Sequence, residues 1–172
     1  VDTIGPQAGD IARTCWLAAD LPEEVPGTTI DRQCGSSQQA VHFAAQGVMS
    51  GTQDIVVAGG VQAMNMIPIS SAMTCAEGLG FTDPVSTSKG WVERYGTVEV
   101  SQFNSAEMIA EKWDITREDM EEFALERNRR ALAATAEGRF KREIVPYGDM
   151  DTDEPPRESS LEKMASLRTL VE

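Results

Sequence analysis

The 172-residue chain has few histidines and cysteines, the side chains that form zinc sites and disulfide frameworks. It contains one histidine and three cysteines, and the cysteines are widely spaced with no Cys-x-x-Cys pair among them. One histidine is too few for the usual zinc ligand sets, and an odd number of distant cysteines suits a reducing compartment better than disulfides. We therefore expect no metal site and a cytoplasmic protein.

Basic residues and long apolar runs are scarce as well. Lys and Arg total 15 against 28 Asp and Glu, which gives a formal net charge of −13. Because phosphate contacts need clustered basic side chains, nucleic acid and anionic membrane surfaces are poor partners for this chain. No apolar run approaches the roughly 20 residues that cross a bilayer, and no signal segment opens the sequence. A composition of 41% hydrophobic and 25% charged residues is ordinary for a soluble globular domain.

The most informative stretch places Cys34 where a predicted strand gives way to a helix. Residues 28–31 are rich in β-branched side chains, Gly35 permits a tight turn, and Ser36 or Ser37 offers a hydroxyl to cap the helix that follows. The unpaired N–H groups and the dipole of a helix N-terminus favour a thiolate and can donate to an oxyanion. Cys34 is therefore a candidate nucleophile, although free cysteines commonly serve as small buried apolar side chains.

A βαβ unit is predicted around this cysteine. Small apolar residues predict a central, buried helix over residues 37–50, and the apolar run of residues 54–58 predicts a strand buried on both faces. A right-handed crossover makes the two strands parallel and puts functional loops at their carboxyl ends, where Cys34 lies. His42 is not expected to pair with Cys34, because eight helical residues separate the two by about 12 Å along the axis.

Elsewhere the pattern is mainly helical. Residues 8–19 predict an amphipathic helix that packs Cys15 on its apolar face. Residues 62–100 form a long irregular segment whose methionines and aromatic side chains need burial. Further helices are predicted over residues 105–113, from a Thr116 cap to about residue 136, and from Ser159 and Ser160 onward, with a short edge strand at residues 144–147.

Several motifs along the chain resemble those of the thiolases. Cys-Gly-Ser-Ser-Gln-Gln-Ala from Cys34 is similar to the nucleophile segment of that family, and Gly-Gly-Val-Gln-Ala-Met from Gly59 is similar to its Gly-Gly-x-x-x-Met segment. The similarity continues through Ser-Ala-Glu at Ser105 and Gly-Arg-Phe at Gly138 to Pro-Arg-Glu-Ser-Ser-Leu-Glu-Lys-Met from Pro156. It therefore covers nearly the whole chain.

The resemblance implies an α/β fold, namely a thiolase-like N-terminal half with a mixed βαβ sheet and helices on both faces, plus an irregular α-rich loop domain. It implies a partial core with the nucleophile in residues 1–61 and a loop domain with helices covering the coenzyme A (CoA) site in residues 62–140. Residues 141–172 would form a return strand and a connection toward a missing C-terminal half. The chain opens on Val1 instead of methionine and stops at Glu172, so we expect a piece of a longer polypeptide.

The resemblance also implies acyl transfer between a 3-ketoacyl-CoA and CoA, with CoA as substrate, no covalently bound cofactor and a homodimer or homotetramer. Cys34 would be the nucleophile, and its own backbone N–H an oxyanion donor. Arg157 matches an arginine near the nucleotide portion of CoA, while Ser101 and Gln102 fall where biosynthetic members carry His-Met beside the pantetheine arm. The departure from His-Met removes a histidine from the pocket and leaves the substrate class open. Gln62 and the Val-Ser-Gln-Phe run from Val100 resemble degradative thiolases of actinobacterial type, including those acting on steroid side chains.

Three motifs that complete the reaction in the family do not occur in residues 1–172. These are Gly-His-Pro with the base histidine, Cys-x-Gly with a second cysteine, and Asn-Glu-Ala-Phe with a water-orienting asparagine. The isolated chain is therefore expected to be inactive. The open alternatives are a non-catalytic thiolase-like subunit or scaffold, a biosynthetic acetoacetyl-CoA thiolase and a cysteine hydrolase, the last disfavoured because the sequence places no base near Cys34.

Overall fold

Helices provide the regular structure of both units into which the chain divides, Val1–Val98 and Glu99–Glu172. The computed structural model describes residues 3–81, 85 and 87–171. Described helices of the first unit are α1 (Ile11–Ala18), α2 (Ser36–Met49), α3 (Ser71–Thr74) and α4 (Lys89–Tyr95), with 3₁₀ turns at Gly5–Gln7 and Glu77–Leu79. Those of the second unit are α5 (Gln102–Lys112), α6 (Arg117–Ala136) and α7 (Leu161–Ala165).

The predicted mixed βαβ sheet is not confirmed by the described residues. Residues 28–31 and 54–58 form no strand there, and Asp54 is a bend, although helix α2 forms between them as predicted. The expected edge strand at residues 144–147 is reduced to one isolated antiparallel bridge, from Tyr147 to Met150. The physical reason is that an extended segment needs neighbours for its backbone N–H and C=O groups, and the described residues supply none to these segments.

The start of α1 is tied to residues 27–29, which precede Cys34 in the chain. Asp10 caps the helix by accepting the N–H of Arg13 on Oδ1 at 3.3 Å. The Thr29 hydroxyl donates to the same oxygen at 3.0 Å and accepts the N–H of Ile11 at 3.1 Å. Gly27 approaches so closely that a Cβ there would lie 2.5 Å from the Arg13 nitrogen. Residues 27–29 are therefore held against the helix by side-chain bonds and a close backbone approach.

Helix α6 begins at a capping box. The Thr116 hydroxyl accepts the N–H of Asp119 at 3.1 Å, and Oδ2 of Asp119 accepts the N–H of Thr116 at 2.9 Å. The side-chain hydrogen bond from Thr116, followed by the backbone one, holds the pKa of Asp119 below its usual range. Gly138, with a φ of +71°, follows the end of the helix. The predicted cap and the end near residue 136 are confirmed.

Arg117 fastens α7 to α6 within the second unit. Its guanidinium donates to the carbonyls of Met164 at 3.1 Å, Ala165 at 3.2 Å and Leu167 at 2.7 Å. Its Nε also pairs with Glu121 at 2.6 Å. The last carbonyls of a helix lack partners of their own, and a cation complements the negative end of the helix dipole. One side chain thus satisfies the end of α7 and connects it to α6.

Few apolar side chains are buried in the part of the chain that the structure describes. Ile67 and Ala110 are the buried hydrophobic residues there. Helix α2 has no buried residue among those described, so the prediction of a buried central helix is not confirmed. Within residues 54–58, which were predicted to form a buried strand, Ile55 is 89% exposed and Val57 is 75% exposed. Apolar surface of this kind marks contact sites in soluble proteins.

We expect Arg117→Met to loosen α7, because the substitution keeps an unbranched stem and removes the donors to its last carbonyls. Hydrogen bonds from a charged donor contribute about 1.5 to 3 kcal/mol, so the amides of Ser166 and Leu167 should exchange at least about tenfold faster. Arg127→Met, at an exposed position of the same helix, is the matched control. Hydrogen exchange of the amides of residues 160–168 tests this prediction. Equal exchange rates in the two variants would show that Arg117 does not stabilise the end of α7.

Candidate active site

Cys34 lies at the N-terminus of α2. Gly35 is the N-cap, and Ser36 is the first helical residue. The φ of Cys34 is +61°, in the left-handed region that few residues other than glycine adopt. Its side chain is exposed. Residues held in this region without a glycine are concentrated at functional sites, where the surrounding structure imposes the conformation. The structure therefore places a strained, accessible thiol at the position where the sequence predicts the nucleophile.

The turn around Cys34 is closed by its neighbours. The N–H of Gly35 donates to the carbonyl of Arg32 at 2.8 Å. The Ser36 hydroxyl accepts the N–H of Arg32 and donates to its carbonyl, both at 3.0 Å. The guanidinium of Arg32 reaches into α2 and donates to Oε1 of Gln39 at 2.6 Å. These bonds tie the residues on both sides of Cys34 to each other.

The hydroxyl cap expected at the start of α2 does not form. Gly35 occupies the N-cap position and makes no side-chain cap bond, while the Ser36 hydroxyl is used by Arg32 in the preceding turn. Ser37 instead lies beside Gly60, where an added Cβ would stand 3.0 Å from the Ser37 Cβ. The first-turn N–H groups of α2 are left without a side-chain cap, and Gly60 packs close to that turn.

The other candidate thiols and the histidine are exposed. Cys15, expected to pack on the apolar face of α1, is an exposed free cysteine, so that expectation is wrong for the described structure. Cys75 follows α3, is also exposed, and its Sγ donates to the carbonyl of Ala72 at 3.6 Å. His42 lies on α2 with an exposed side chain. Exposure is therefore common to all three thiols and does not distinguish Cys34.

The remaining predicted site residues belong to the second unit. Ser101 is the N-cap of α5, and its hydroxyl accepts the N–H of Asn104 at 3.4 Å. The helix thus begins three residues before the predicted start at residue 105, with Gln102 as its first, exposed residue. Arg157 is exposed and lies outside regular secondary structure, ahead of α7.

Asn128 is a contact of this region that sequence reasoning did not identify. Its Oδ1 accepts the N–H of Arg157 at 3.3 Å, and its Nδ2 donates to the carbonyl of Ala124 at 3.0 Å. Asparagine has a poor helix propensity because its side chain competes for backbone hydrogen bonds, yet it stands well inside α6. That mismatch was the available signal in the sequence.

No group of three or more His, Cys, Asp or Glu side chains within residues 3–81, 85 and 87–171 could hold a metal ion. No helix in the same ranges has the length and apolar character required to span a bilayer. A shallow cavity of about 260 Å³ in the second unit is bordered by Thr135, Lys141 and Asp151 and includes none of the predicted site residues.

The chain belongs to the thiolase family. The family model described as "Thiolase, N-terminal domain" matches residues 4–172, and it confirms the family predicted from the Cys34 and Gly59 motifs.

Curated relatives carry thiolase names. Steroid 3-ketoacyl-CoA thiolase FadA6 of Mycobacterium tuberculosis is 60% identical over 176 residues, which cover 100% of this chain and 43% of the relative. Beta-ketoadipyl-CoA thiolase of Acinetobacter baylyi is 38% identical over 188 residues, covering 96% of this chain and 46% of the relative. The 3-ketoacyl-CoA thiolase of Escherichia coli is 36% identical over 166 residues, covering 96% and 40%. The chain thus spans less than half the length of these relatives.

We expect Ser36→Ala to release the turn that holds Cys34, because the variant loses both bonds to the Arg32 backbone. A neutral hydrogen bond contributes about 1 kcal/mol, so the Arg32 amide should exchange about fivefold faster. Ser36→Thr keeps the hydroxyl and should preserve protection, and Ser37→Ala alters the adjacent serine as a control. Amide exchange by NMR checks this. An unchanged Arg32 rate in Ser36→Ala would show that the hydroxyl does not secure the turn.

Proposed function

We propose that the complete protein is a degradative 3-ketoacyl-CoA thiolase, in which Cys34 transfers the acyl group. The observation that carries this proposal is the exposed, left-handed Cys34 directly before α2, in a chain of the thiolase family. Identity of 60% with a relative named for steroid 3-ketoacyl-CoA supports degradation of a lipid or a steroid side chain. Acetyl-CoA would be the released product.

In the proposed reaction the Cys34 thiolate attacks the 3-keto carbon of the substrate. The bond between C2 and C3 then breaks, and acetyl-CoA leaves as an enolate that takes up a proton. The acyl group remains on the sulfur until the thiol of a second CoA attacks it and gives up its own proton. Uncapped N–H groups at the start of α2, together with the backbone N–H of Cys34, are suited to hold the oxyanions. A base and an acid must supply the proton transfers, and we assign them to the remaining length of the protein.

CoA is proposed as a substrate, with no resident cofactor. Arg157 is assigned to the nucleotide portion, because an exposed guanidinium can bind phosphate in a bidentate way or stack on a base. Ser101 and Gln102, at the start of α5, are assigned to the neighbourhood of the pantetheine arm. The division into residues 1–61, 62–140 and 141–172 remains a prediction.

We also propose a homodimer or homotetramer in the cytoplasm. Exposed apolar side chains on α2, including Val41, Phe43 and Met49, support burial against another surface. Three free cysteines suit a reducing compartment.

A non-catalytic thiolase-like subunit is the second candidate. Such a subunit would keep Cys34 and lack Gly-His-Pro, Cys-x-Gly and Asn-Glu-Ala-Phe throughout the complete protein. The complete reading frame separates the two. A frame that contains these motifs excludes the scaffold, whereas a complete frame without them excludes the enzyme.

Cys34 is expected to react fastest with iodoacetamide at neutral pH. All three cysteines are exposed, and Cys34 is the one that lies beside uncapped N–H groups at the start of a helix. Peptide mapping after brief labelling measures this within one molecule, with Cys15 and Cys75 as internal references. Preferential labelling of either reference thiol, with Cys34 untouched, would overturn the assignment.

In the complete protein, Cys34→Ala is expected to lower kcat for thiolysis by at least about a thousandfold, because the acyl group then has no nucleophile. Cys15→Ala and Cys75→Ala are matched controls that should retain activity. Mass spectrometry after incubation with acetyl-CoA should find the acetyl group on Cys34. A Cys34→Ala protein with normal turnover would refute the proposed mechanism.

The isolated 172 residues are expected neither to turn over acetoacetyl-CoA nor to persist as a monomer. Losing members of a catalytic unit costs several powers of ten in rate, and the exposed apolar side chains of α2 favour association. Turnover and light-scattering mass measured on the same sample test both statements. A clean monomer with thiolytic activity would contradict them together.

A further inference from the structure

The segment that carries Arg157 is attached to α6 at two places. At its start, Oδ1 of Asn128 accepts the N–H of Arg157 at 3.3 Å. At its end, the Arg117 guanidinium binds the carbonyls of Met164 and Leu167 at 3.1 and 2.7 Å. Arg117 and Asn128 are eleven positions apart in α6, which corresponds to about 16 Å along the helix axis. The segment therefore runs back along α6, and α6 serves as its frame.

The amide of Asn128 has a defined orientation. Its Nδ2 donates to the carbonyl of Ala124 at 3.0 Å, four residues earlier in the same helix. With the donor end of the amide engaged in the helix, the acceptor Oδ1 is the end presented to Arg157. An asparagine in a helix interior is less favourable than alanine by roughly half a kcal/mol. The bond to Arg157 gives this position a role that offsets its poor helix propensity.

The bond to Asn128 is made by the first backbone N–H after the Pro155-Pro156 pair. Pro155 and Pro156 precede Arg157 and have no N–H, and each ring fixes its own φ. The Arg157 N–H is therefore the first available donor after a stiff pair of residues. Its side chain is exposed, so the contact to Asn128 holds the backbone and leaves the guanidinium to the solvent side.

Acidic residues near Arg157 in the sequence can compete with a phosphate for its guanidinium. Asp153, Glu154 and Glu158 are close neighbours of Arg157 in sequence, in a chain with 28 acidic and 15 basic residues. A guanidinium on a loosely held backbone can turn toward any of these carboxylates, whereas a fixed backbone restricts the directions it can take. Holding the Arg157 backbone therefore favours binding of an external phosphate.

We propose that Asn128 is a positioning residue for the nucleotide portion of CoA, acting through the backbone of Arg157. The proposal rests on the proposed function, because it takes CoA as the ligand of Arg157. Asn128 itself touches no substrate atom. Its removal should weaken the contribution of the nucleotide to binding without altering the chemistry at Cys34.

The test compares variants of the complete protein with two thiol acceptors. Asn128→Ala is expected to raise KM for CoA about fivefold, the effect of one lost hydrogen bond, with little change in kcat. Pantetheine lacks the nucleotide portion, so the KM for pantetheine should be the same in Asn128→Ala as in the wild type. Asn128→Asp keeps an oxygen acceptor for Arg157 and should restore part of the affinity for CoA. A purely structural role would raise KM for both acceptors and would overturn the proposal, as would an unchanged KM for CoA.

Two controls complete the design. Thr135→Val removes a side-chain bond to the carbonyl four residues earlier, the same kind of bond that Asn128 makes, and should leave both KM values unchanged. Combining Asn128→Ala with Arg157→Gln should raise KM for CoA no further than Arg157→Gln alone, because both changes act on one interaction. Additive effects would show that Asn128 acts independently of Arg157.

Calorimetry with CoA separates failure of this inference from failure of the proposed function. A protein that binds CoA but does not turn over refutes the enzyme alone, and the ratio of Kd values for Asn128→Ala and wild type then decides the role of Asn128. A protein that neither binds CoA nor turns over refutes both.

Discussion

Backbone hydrogen bonding is the constraint on which both units depend. A helix satisfies most of its N–H and C=O groups within its own segment, whereas a strand needs a neighbour for every residue. Helices such as α2 and α6 therefore form even where their apolar faces are exposed. Residues 54–58 carry the apolar run of a buried strand but have no ladder partner in the described part, and they form no strand there.

Hydrogen bonds from polar side chains join segments that apolar packing would hold together in a well-buried domain. Asp10 and Thr29 join residues 27–29 to α1, and Arg117 joins α7 to α6. Ser36 closes the Cys34 turn in the same manner. Apart from the bond between the Thr29 and Asp10 side chains, these bonds involve backbone groups at helix ends or in turns, where unsatisfied donors and acceptors are found. The residues of proposed function are thus placed by local polar contacts.

Sequence reasoning succeeded where structure is determined locally. The capping box at Thr116 and the helix after Cys34 depend on residues within a few positions, and both were predicted. Burial of Cys15 and the pairing of residues 54–58 depend on distant partners, so periodicity alone could not decide them. The role of Asn128 was missed for the same reason, since its partner lies 29 residues away. Family membership was predictable because motifs such as that at Gly59 are specific short strings.

Because the backbone of Cys34 is left-handed, the residue that would be most stable at this position differs from the residue that is needed for reactivity. Glycine would adopt a φ of +61° without a steric penalty, so selection for stability alone would favour glycine there. Glycine has no sulfur, and the thiol can be kept only by retaining a conformation that costs on the order of 1 kcal/mol or more. A search for heat-resistant variants of this protein would therefore be drawn toward replacing the very residue that its proposed chemistry requires.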